Sequence, residues 1–415
     1  MRSVTWKLLL FGLIVVVPDA LIAAPGSVLY TFQGGADGQN PTGALTVDAA
    51  GNVYGKAYNT TQCFPLYCEL VFELSPNGGA WSYQVLYTFL QPTFGTGGLV
   101  VGADGNVYGT TSQGGMNGRG TVFELTHSAN GWTETTLYSF GATQTDGTAP
   151  GCTMVFDEEG NLYGTTETGG LYGAGTVFEL LRSGSNWTEE ILYNFSDMPD
   201  GAWPLGPLTF DSQGNLYGTT NGGGIRTTDC IINRFDGCGT VFELARVDDV
   251  WTENQLYAFQ GSPTDGQWPS TGVIFDTSGN LFGTTVNGGC GKVYCGIAFE
   301  LSPKQGGLWD ERVIERFTGT NGALPANLAF SPSGNLFGST IEGGSGSGAN
   351  GLVFQLRPKI PSKRERILYE FSGGEDGSEP DGIAFDSSGY LFGTTAYGGN
   401  ASGLSGNGVI FVGKP

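Results

Sequence analysis

The sequence predicts an all-β protein, a seven-bladed β-propeller with four antiparallel strands per blade, and three observations predict it. A phrase whose commonest form is Gly-Asn-(Leu/Val)-(Tyr/Phe)-Gly recurs seven times, with its aromatic at Tyr54, Tyr108, Tyr163, Tyr217, Phe282, Phe337 and Phe392. The intervals are 54, 55, 54, 65, 55 and 55 residues, long enough for one supersecondary unit per copy. Between the phrases lie short runs of branched and aromatic residues bounded by Gly, Asp, Asn and Ser, and no stretch after residue 26 keeps a helical period for ten residues. Finally, the repeat is split across the two ends of the chain. The last copy stops after Val409-Ile410-Phe411-Val412, and its missing fourth strand is found at the start as Val28-Leu29-Tyr30-Thr31-Phe32. A split unit has no use in an open solenoid, whereas in a ring it closes the last blade and removes two sheet edges.

The elements follow from one repeat, Pro204 to Phe259. Strand A is Pro207-Leu208-Thr209-Phe210, a turn follows at Asp211 to Asn215, and strand B is Leu216 to Thr220. A long glycine-rich loop leads to strand C, Thr240 to Leu244, and Trp251 introduces strand D, Gln255 to Phe259. The A-to-B turn begins with Asp48, Asp157, Asp211, Asp276 or Asp386, with glycine in its fourth place in all seven copies. Asp accepts backbone N–H bonds in such turns, and glycine takes the positive φ that reverses the chain. Glu73, Glu124, Glu179, Glu243 and Glu300 recur on strand C and become Gln355 and Val412 in the last copies, a pattern of hydrogen bonding at a blade edge rather than of catalysis.

Residues 1–26 read as a secretory signal peptide: Arg2 and Lys7 precede the apolar run Leu8 to Val17, and Ala20, Ala23 and Ala24 supply small residues. Residues 27–415 are then a single propeller domain, secreted or periplasmic, with no retained membrane anchor. Against 39 Asp plus Glu stand 18 Lys plus Arg, a formal net charge of -21, which excludes nucleic acid as the main partner. With 39% hydrophobic residues the chain can bury a large core despite 72 glycines.

Three cysteine pairs, Cys63 with Cys68, Cys230 with Cys238 and Cys290 with Cys295, fall inside equivalent B-to-C loops and read as local disulfides of an oxidising compartment. Zinc is the rival reading, and it lacks histidine, since His127 is the only one. Cys152, in an apolar run, reads as a buried free thiol.

Segments such as Gly160-Asn161-Leu162-Tyr163-Gly164-Thr165-Thr166, Gly175-Thr176-Val177-Phe178-Glu179-Leu180 and Leu192-Tyr193-Asn194-Phe195-Ser196 resemble the GloVer-type tandem repeat of exported bacterial proteins. The resemblance covers nearly the whole chain after the leader, implies export, and carries no catalytic set. Relatives often bear a C-terminal anchoring signal that does not appear here. A looser similarity to NHL-type propellers, through Pro380 to Tyr390, implies the same fold and strand order.

The D-to-A and B-to-C connections share one face of a propeller and are long and variable here, so that face is where a partner is expected. Asp37-Gly38, Asp146-Gly147, Asp200-Gly201, Asp265-Gly266 and Asp376-Gly377 each precede a proline after two residues. A ring of these aspartates could hold a cation such as calcium, whereas a tight turn accounts for them without one, and no cofactor is expected. Trp203 and Trp268 occupy the same place in neighbouring copies, beside the enlarged loop that contains Arg226, Arg234 and Phe235. This set is the expected ligand rim of a monomeric binding or scaffold module, for extracellular polysaccharide or another matrix component. The alternative is a carbohydrate-active enzyme, a glycoside hydrolase or lyase, using nonrepeated carboxylates such as Asp229 and Asp236.

Overall fold

A computed structural model describes residues 26–61, 63, 67–95, 97–232, 235–248, 250–291, 294–346, 348–358, 365–399 and 406–415, with the side chains of 229, 231, 232, 235 and 236 also left out. The signal-peptide reading of residues 1–26 therefore lies, but for Gly26, outside the described residues. The described chain forms seven four-stranded antiparallel blades in a ring. Blade 1 is Gln39–Val47, Val53–Asn59, Cys68–Asn77 and Ala80–Thr88. Blade 4 is Thr209–Phe210, Leu216–Thr220, Thr240–Val247 and Val250–Ala258. Blade 7 takes Ser378–Phe385, Leu391–Tyr397 and Val409–Gly413 from the end of the chain and Ser27–Thr31 from its beginning. Val28 pairs with Phe411 and Thr31 with Val409, and the Phe32 N–H donates to the Gly408 carbonyl at 3.1 Å, so the N-terminal strand closes the ring as expected.

Strand lengths differ from the sequence reading. Strand A shrinks to two residues in blades 2 and 4, while the C–D hairpins extend outward, so that Trp251 lies inside strand D rather than before it and His127 lies within strand C. A β-bulge also falls at one equivalent place in every strand D, at Leu29, Leu86, Leu137, Leu192, Leu256, Ile314 and Leu368. Each bulge leaves one aliphatic residue of strand D without a partner on strand C and adds local twist.

Seven apolar clusters fill the seven junctions between blades. At each one the strand-C phenylalanine meets the phenylalanine that ends strand D of the preceding blade. Phe32 and Phe72 lie 5.5 Å apart, Phe140 and Phe178 5.0 Å, and Phe371 and Phe411 5.1 Å. Such pairs add about 0.5–1.5 kcal/mol to the burial of each ring. The same phenylalanine explains the final glycine of the repeated phrase. A Cβ on Gly55 would stand 2.5 Å from the Phe72 ring, and one on Gly393 2.3 Å from Phe411, so the position admits no side chain.

Five junctions carry a second seal, a tryptophan near the start of strand D that covers the strand-B aromatic of the preceding blade. Trp81 lies 5.6 Å from Phe392, Trp187 6.2 Å from Tyr108 and Trp309 6.4 Å from Tyr217. Trp132 and Trp251 pack into the clusters that contain Tyr54 and Tyr163. For the junctions of blades 5/6 and 6/7 the corresponding sequence positions hold Lys363 and Ala24, both outside the described residues.

The turn aspartates act as expected. Asp48 Oδ1 accepts the N–H groups of Ala50 and Asn52 at 2.8 and 2.9 Å, and Oδ2 accepts the Tyr54 hydroxyl. The strand-C glutamates complete the arrangement: Tyr163 donates to Glu179 at 2.6 Å and Tyr217 to Glu243 at 2.5 Å. Where Tyr becomes Phe282, Glu300 pairs with Arg312 instead.

Candidate functional site: the loop-rich mouth of the ring

Each Asp-Gly turn of the loop-rich face is pinned to the strand before it. Asp200 Oδ2 accepts the Tyr193 hydroxyl at 3.1 Å and the Ser196 N–H at 2.9 Å, and Asp37, Asp146, Asp265 and Asp376 repeat the pattern. The bonds use these carboxylates as turn formers. Among the described residues no group of three His, Cys, Asp or Glu side chains is placed to hold a metal ion.

In six of the seven blades this turn, with Asn321 in place of its aspartate in blade 6, delivers a residue in a left-handed conformation directly before proline: Asn40, Ala149, Trp203, Trp268, Leu324 and Glu379, with φ between 46 and 62°. Non-glycine residues enter that region at a cost of about 1–3 kcal/mol, and here a hydrogen bond across the junction holds each one. The Trp203 N–H donates to the Ala174 carbonyl at 2.8 Å, the Trp268 N–H to Cys238 at 2.9 Å and the Leu324 N–H to Cys295 at 3.0 Å. Two of the disulfides, Cys230–Cys238 and Cys290–Cys295, therefore sit where a B-to-C loop supports the next blade. All three expected pairs form, with Cα separations of 5.6, 5.1 and 6.2 Å for Cys63–Cys68, Cys230–Cys238 and Cys290–Cys295. Cys152 is reduced and buried.

Trp203 and Trp268 occupy equivalent, partly buried positions, and Trp203 packs against the core between blades 3 and 4. Arg226 is exposed. Arg234 lies outside the described residues, as do the side chains of Phe235, Asp229 and Asp236. Their backbone is placed: Phe235–Asp236 pairs with Ile231–Ile232, and this hairpin lies against Gly222–Gly223, which pairs with Gly201–Ala202 next to Trp203. The structure thus brings the enlarged loop to Trp203.

The ring encloses a channel of about 460 Å³ to which every blade contributes strand A or the segment that leads into it. Leu324 and Glu379 border it at the mouth, and Asp381 stands within it, accepting the Gly43 N–H at 3.0 Å. Enclosure by protein pushes the Asp381 carboxyl up, opposed by that N–H. Burial, then the Glu342 charge, pushes Glu379 up as well. No basic side chain lines this channel among the described residues.

Sequence reasoning missed one further feature beside the mouth. Blade 2 lacks the Asp-Gly turn and its proline, and there Lys56 and Glu69 form an ion pair at 3.2 Å, both side chains 0% exposed. In the other blades the Glu69 position is a glycine against the next blade's proline, 2.5 Å from Pro150 Cδ for a Cβ on Gly120 and 2.6 Å from Pro204 for one on Gly175. With no proline to meet, Glu69 enters, and the Lys56 ammonium donates to the Gly95 carbonyl at 3.1 Å in the space the turn leaves. Burial pushes Glu69 up while Lys56 pulls it back. The signal was legible, because Lys56 replaces a Thr or Ser present in all six other copies.

Residues 67–236 and 230–415 match the Gloeobacter/Verrucomicrobia repeat, and the chain belongs to that repeat family. Curated proteins give no match. Among solved structures, the chain is similar to a Mycobacterium tuberculosis puromycin-hydrolyzing peptidase at 11% identity and a TM-score of 0.52, over 90% of this chain and 53% of that one. It is also similar to a protein of unknown function from Dyadobacter fermentans, at 11% identity and a TM-score of 0.49 over 95% and 98% of the two chains. A third is a 6-phosphogluconolactonase-like protein from Bacteroides uniformis, at 14% identity, a TM-score of 0.47, and 78% and 85% coverage. At these identities the first likeness concerns the fold alone. No helix among the described residues is long and apolar enough to cross a membrane.

Proposed function

We propose that this member of the repeat family is an extracytoplasmic binding or scaffold module whose loop-rich mouth takes a neutral extracellular polysaccharide at Trp203 and Trp268. The carrying observation is the placement of both tryptophans at equivalent positions before proline, half-buried, with their backbone N–H groups held by cross-junction hydrogen bonds, beside a disulfide-stapled loop. Planar aromatic faces match the apolar faces of sugar rings and lose little side-chain entropy on binding. The repeated carboxylates are engaged in turns and blade-edge bonds, which supports binding rather than hydrolysis. Three disulfides support an oxidising location. A neutral-glycan array read alongside reducing-end release tests the reading. Binding without release, lost in Trp203→Ala and Trp268→Ala, is expected. Affinities unchanged in both variants would remove the platform, and release of reducing ends that depends on Asp229 or Asp236 would make the protein an enzyme.

A further inference from the structure

On the opposite face, where the A-to-B turns lie, a tryptophan covers five junctions, and at the other two no described residue takes its place. At blades 5/6 a cavity of about 650 Å³ lies between Phe275 and Phe330, and at blades 6/7 a second of about 420 Å³ adjoins it. The two share Ser331, Asn335, Gln355 and Arg357, so they form one groove. These are the junctions whose strand D has no tryptophan at the covering position; their strand-B aromatics, Phe282 and Phe337, lack the hydroxyl that ties the turn to strand C at Tyr54, Tyr108, Tyr163 and Tyr217, as does Phe392 beneath Trp81.

We propose that this groove is a binding site for a carboxylated polysaccharide, a chain of uronic acid residues, independent of the mouth on the other face. The groove has a net cationic lining, with Arg312, Arg357, Arg366 and Lys414 set against Glu300 and Asp276. Arg357, Arg366 and Lys414 line the groove, and no carboxylate among the described residues forms an ion pair with any of them. The acids nearby are already engaged. Glu300 is paired with Arg312, and Asp276 accepts the Ser278 and Asn280 N–H groups together with the Asn280 amide. Net charge of -21 opposes polyanions at long range, but screening confines it to about 8 Å at physiological ionic strength, so at contact the groove's own charges decide.

The cations are also oriented. Arg357 donates from Nε and one terminal nitrogen to Gln355 Oε1 at 3.3 and 3.1 Å, which fixes the guanidinium plane and leaves the other terminal nitrogen for a ligand. The Lys414 ammonium is held 4.5 Å over the Tyr390 ring. Arg366 stands beside Gln355 across the C–D pair. A guanidinium fork suits a carboxylate, and the partly exposed rings of Phe275 and Phe330 suit the apolar face of a sugar ring. Aromatic walls at one junction and cations at the next match a polymer that presents an apolar ring face and a carboxylate in every residue.

The test is calorimetric titration of the secreted protein with an oligogalacturonate, with cellohexaose and single-stranded DNA as the other probes. Saturable oligogalacturonate binding that weakens with added salt is expected, at least ten times tighter than either control. Arg357→Ala and Arg366→Ala should each weaken it about tenfold, the equivalent of about 1.4 kcal/mol. Arg366 is exposed, so its variant should keep the wild-type unfolding midpoint and stands as the folding-neutral arm. Trp203→Ala should bind oligogalacturonate as wild type does, which separates this site from the mouth. Absence of binding, affinity unchanged in both arginine variants, DNA bound as tightly as uronate, or loss of uronate binding in Trp203→Ala alone would each overturn the proposal.

Discussion

The junction between blades 2 and 3 and the junction between blades 5 and 6 share a phenylalanine pair, a turn and a strand order, yet one is sealed and the other is a cleft. At the first, Trp187 covers Tyr108, whose hydroxyl donates to Glu124 at 2.7 Å and to Asp104 at 2.9 Å. At the second, Phe282 has no hydroxyl, Glu300 turns to Arg312, and about 650 Å³ stays open. The fold needs the inner phenylalanine layer at every junction; the outer tryptophan layer adds stability where it is present and surface where it is absent. A repeat can therefore keep its scaffold uniform and vary one outer position to create a site.

The strongest break falls at the junction of blades 1 and 2. Lys56→Met strands the Glu69 carboxylate without a charge partner and should cost about 3–5 kcal/mol. Lys56→Met combined with Glu69→Leu should recover most of that loss, because the charge goes with its partner. Chemical denaturation of the two variants checks both. If the single and the double variant were equally unstable, packing and not charge would govern the site.

Next in size, Trp187→Ala should lower stability by about 2–4 kcal/mol, toward the lower part of the range for large-to-small changes because the indole is only partly buried. It should also open a cleft at blades 2/3 like that at 5/6. Denaturation midpoints report the first effect, and binding of a small aromatic probe reports the second.

The acidic pairs of the loop-rich face divide the junctions differently and give stability a pH dependence. Glu189, Glu253, Glu311 and Glu365, one on each strand D of blades 3 to 6, are pushed up to about 7, first by burial and then by Asp146, Asp200, Asp265 and Glu315 respectively. An oxygen of Glu189, Glu311 and Glu365 is buried without a donor among the described residues. A carboxyl whose folded value exceeds its unfolded value of 4.5 contributes stability that is full below 4.5 and lost as pH rises through about 7. The unfolding midpoint should therefore rise between pH 8 and pH 5.5. Glu189→Gln should flatten the curve and raise the midpoint at pH 8; a wild-type midpoint that falls over this interval would contradict the assignment.

Smallest of all, Phe282→Tyr restores the hydroxyl beside Asp276 and should stabilise by about 0.5–1.5 kcal/mol while narrowing the cleft. Thermal denaturation measures the gain, and the oligogalacturonate titration measures the loss of room.

The blade count and the three disulfides were legible in the sequence because each rests on spacing that a chain of similar copies displays directly, and the closure by Val28 to Phe32 because the strand missing from the last copy stands at the start of the first. Asp48 and its equivalents could be read as turn formers for the same reason, since donor and acceptor lie within six residues. Trp203 and Trp268 were found as departures from the pattern, but their left-handed backbone depends on a carbonyl in the preceding blade. Contacts across junctions decided the rest. Glu69 replaces a glycine because the next blade has no proline there, and Lys56 reaches Gly95, 39 residues away. The groove on the turn face lies at the junctions where the sequence has no tryptophan to set against Phe282 and Phe337. A repeat read alone shows what its own strands require; which residue a strand may vary is set by the neighbouring blade, one repeat away in sequence and in van der Waals contact only after the ring has closed.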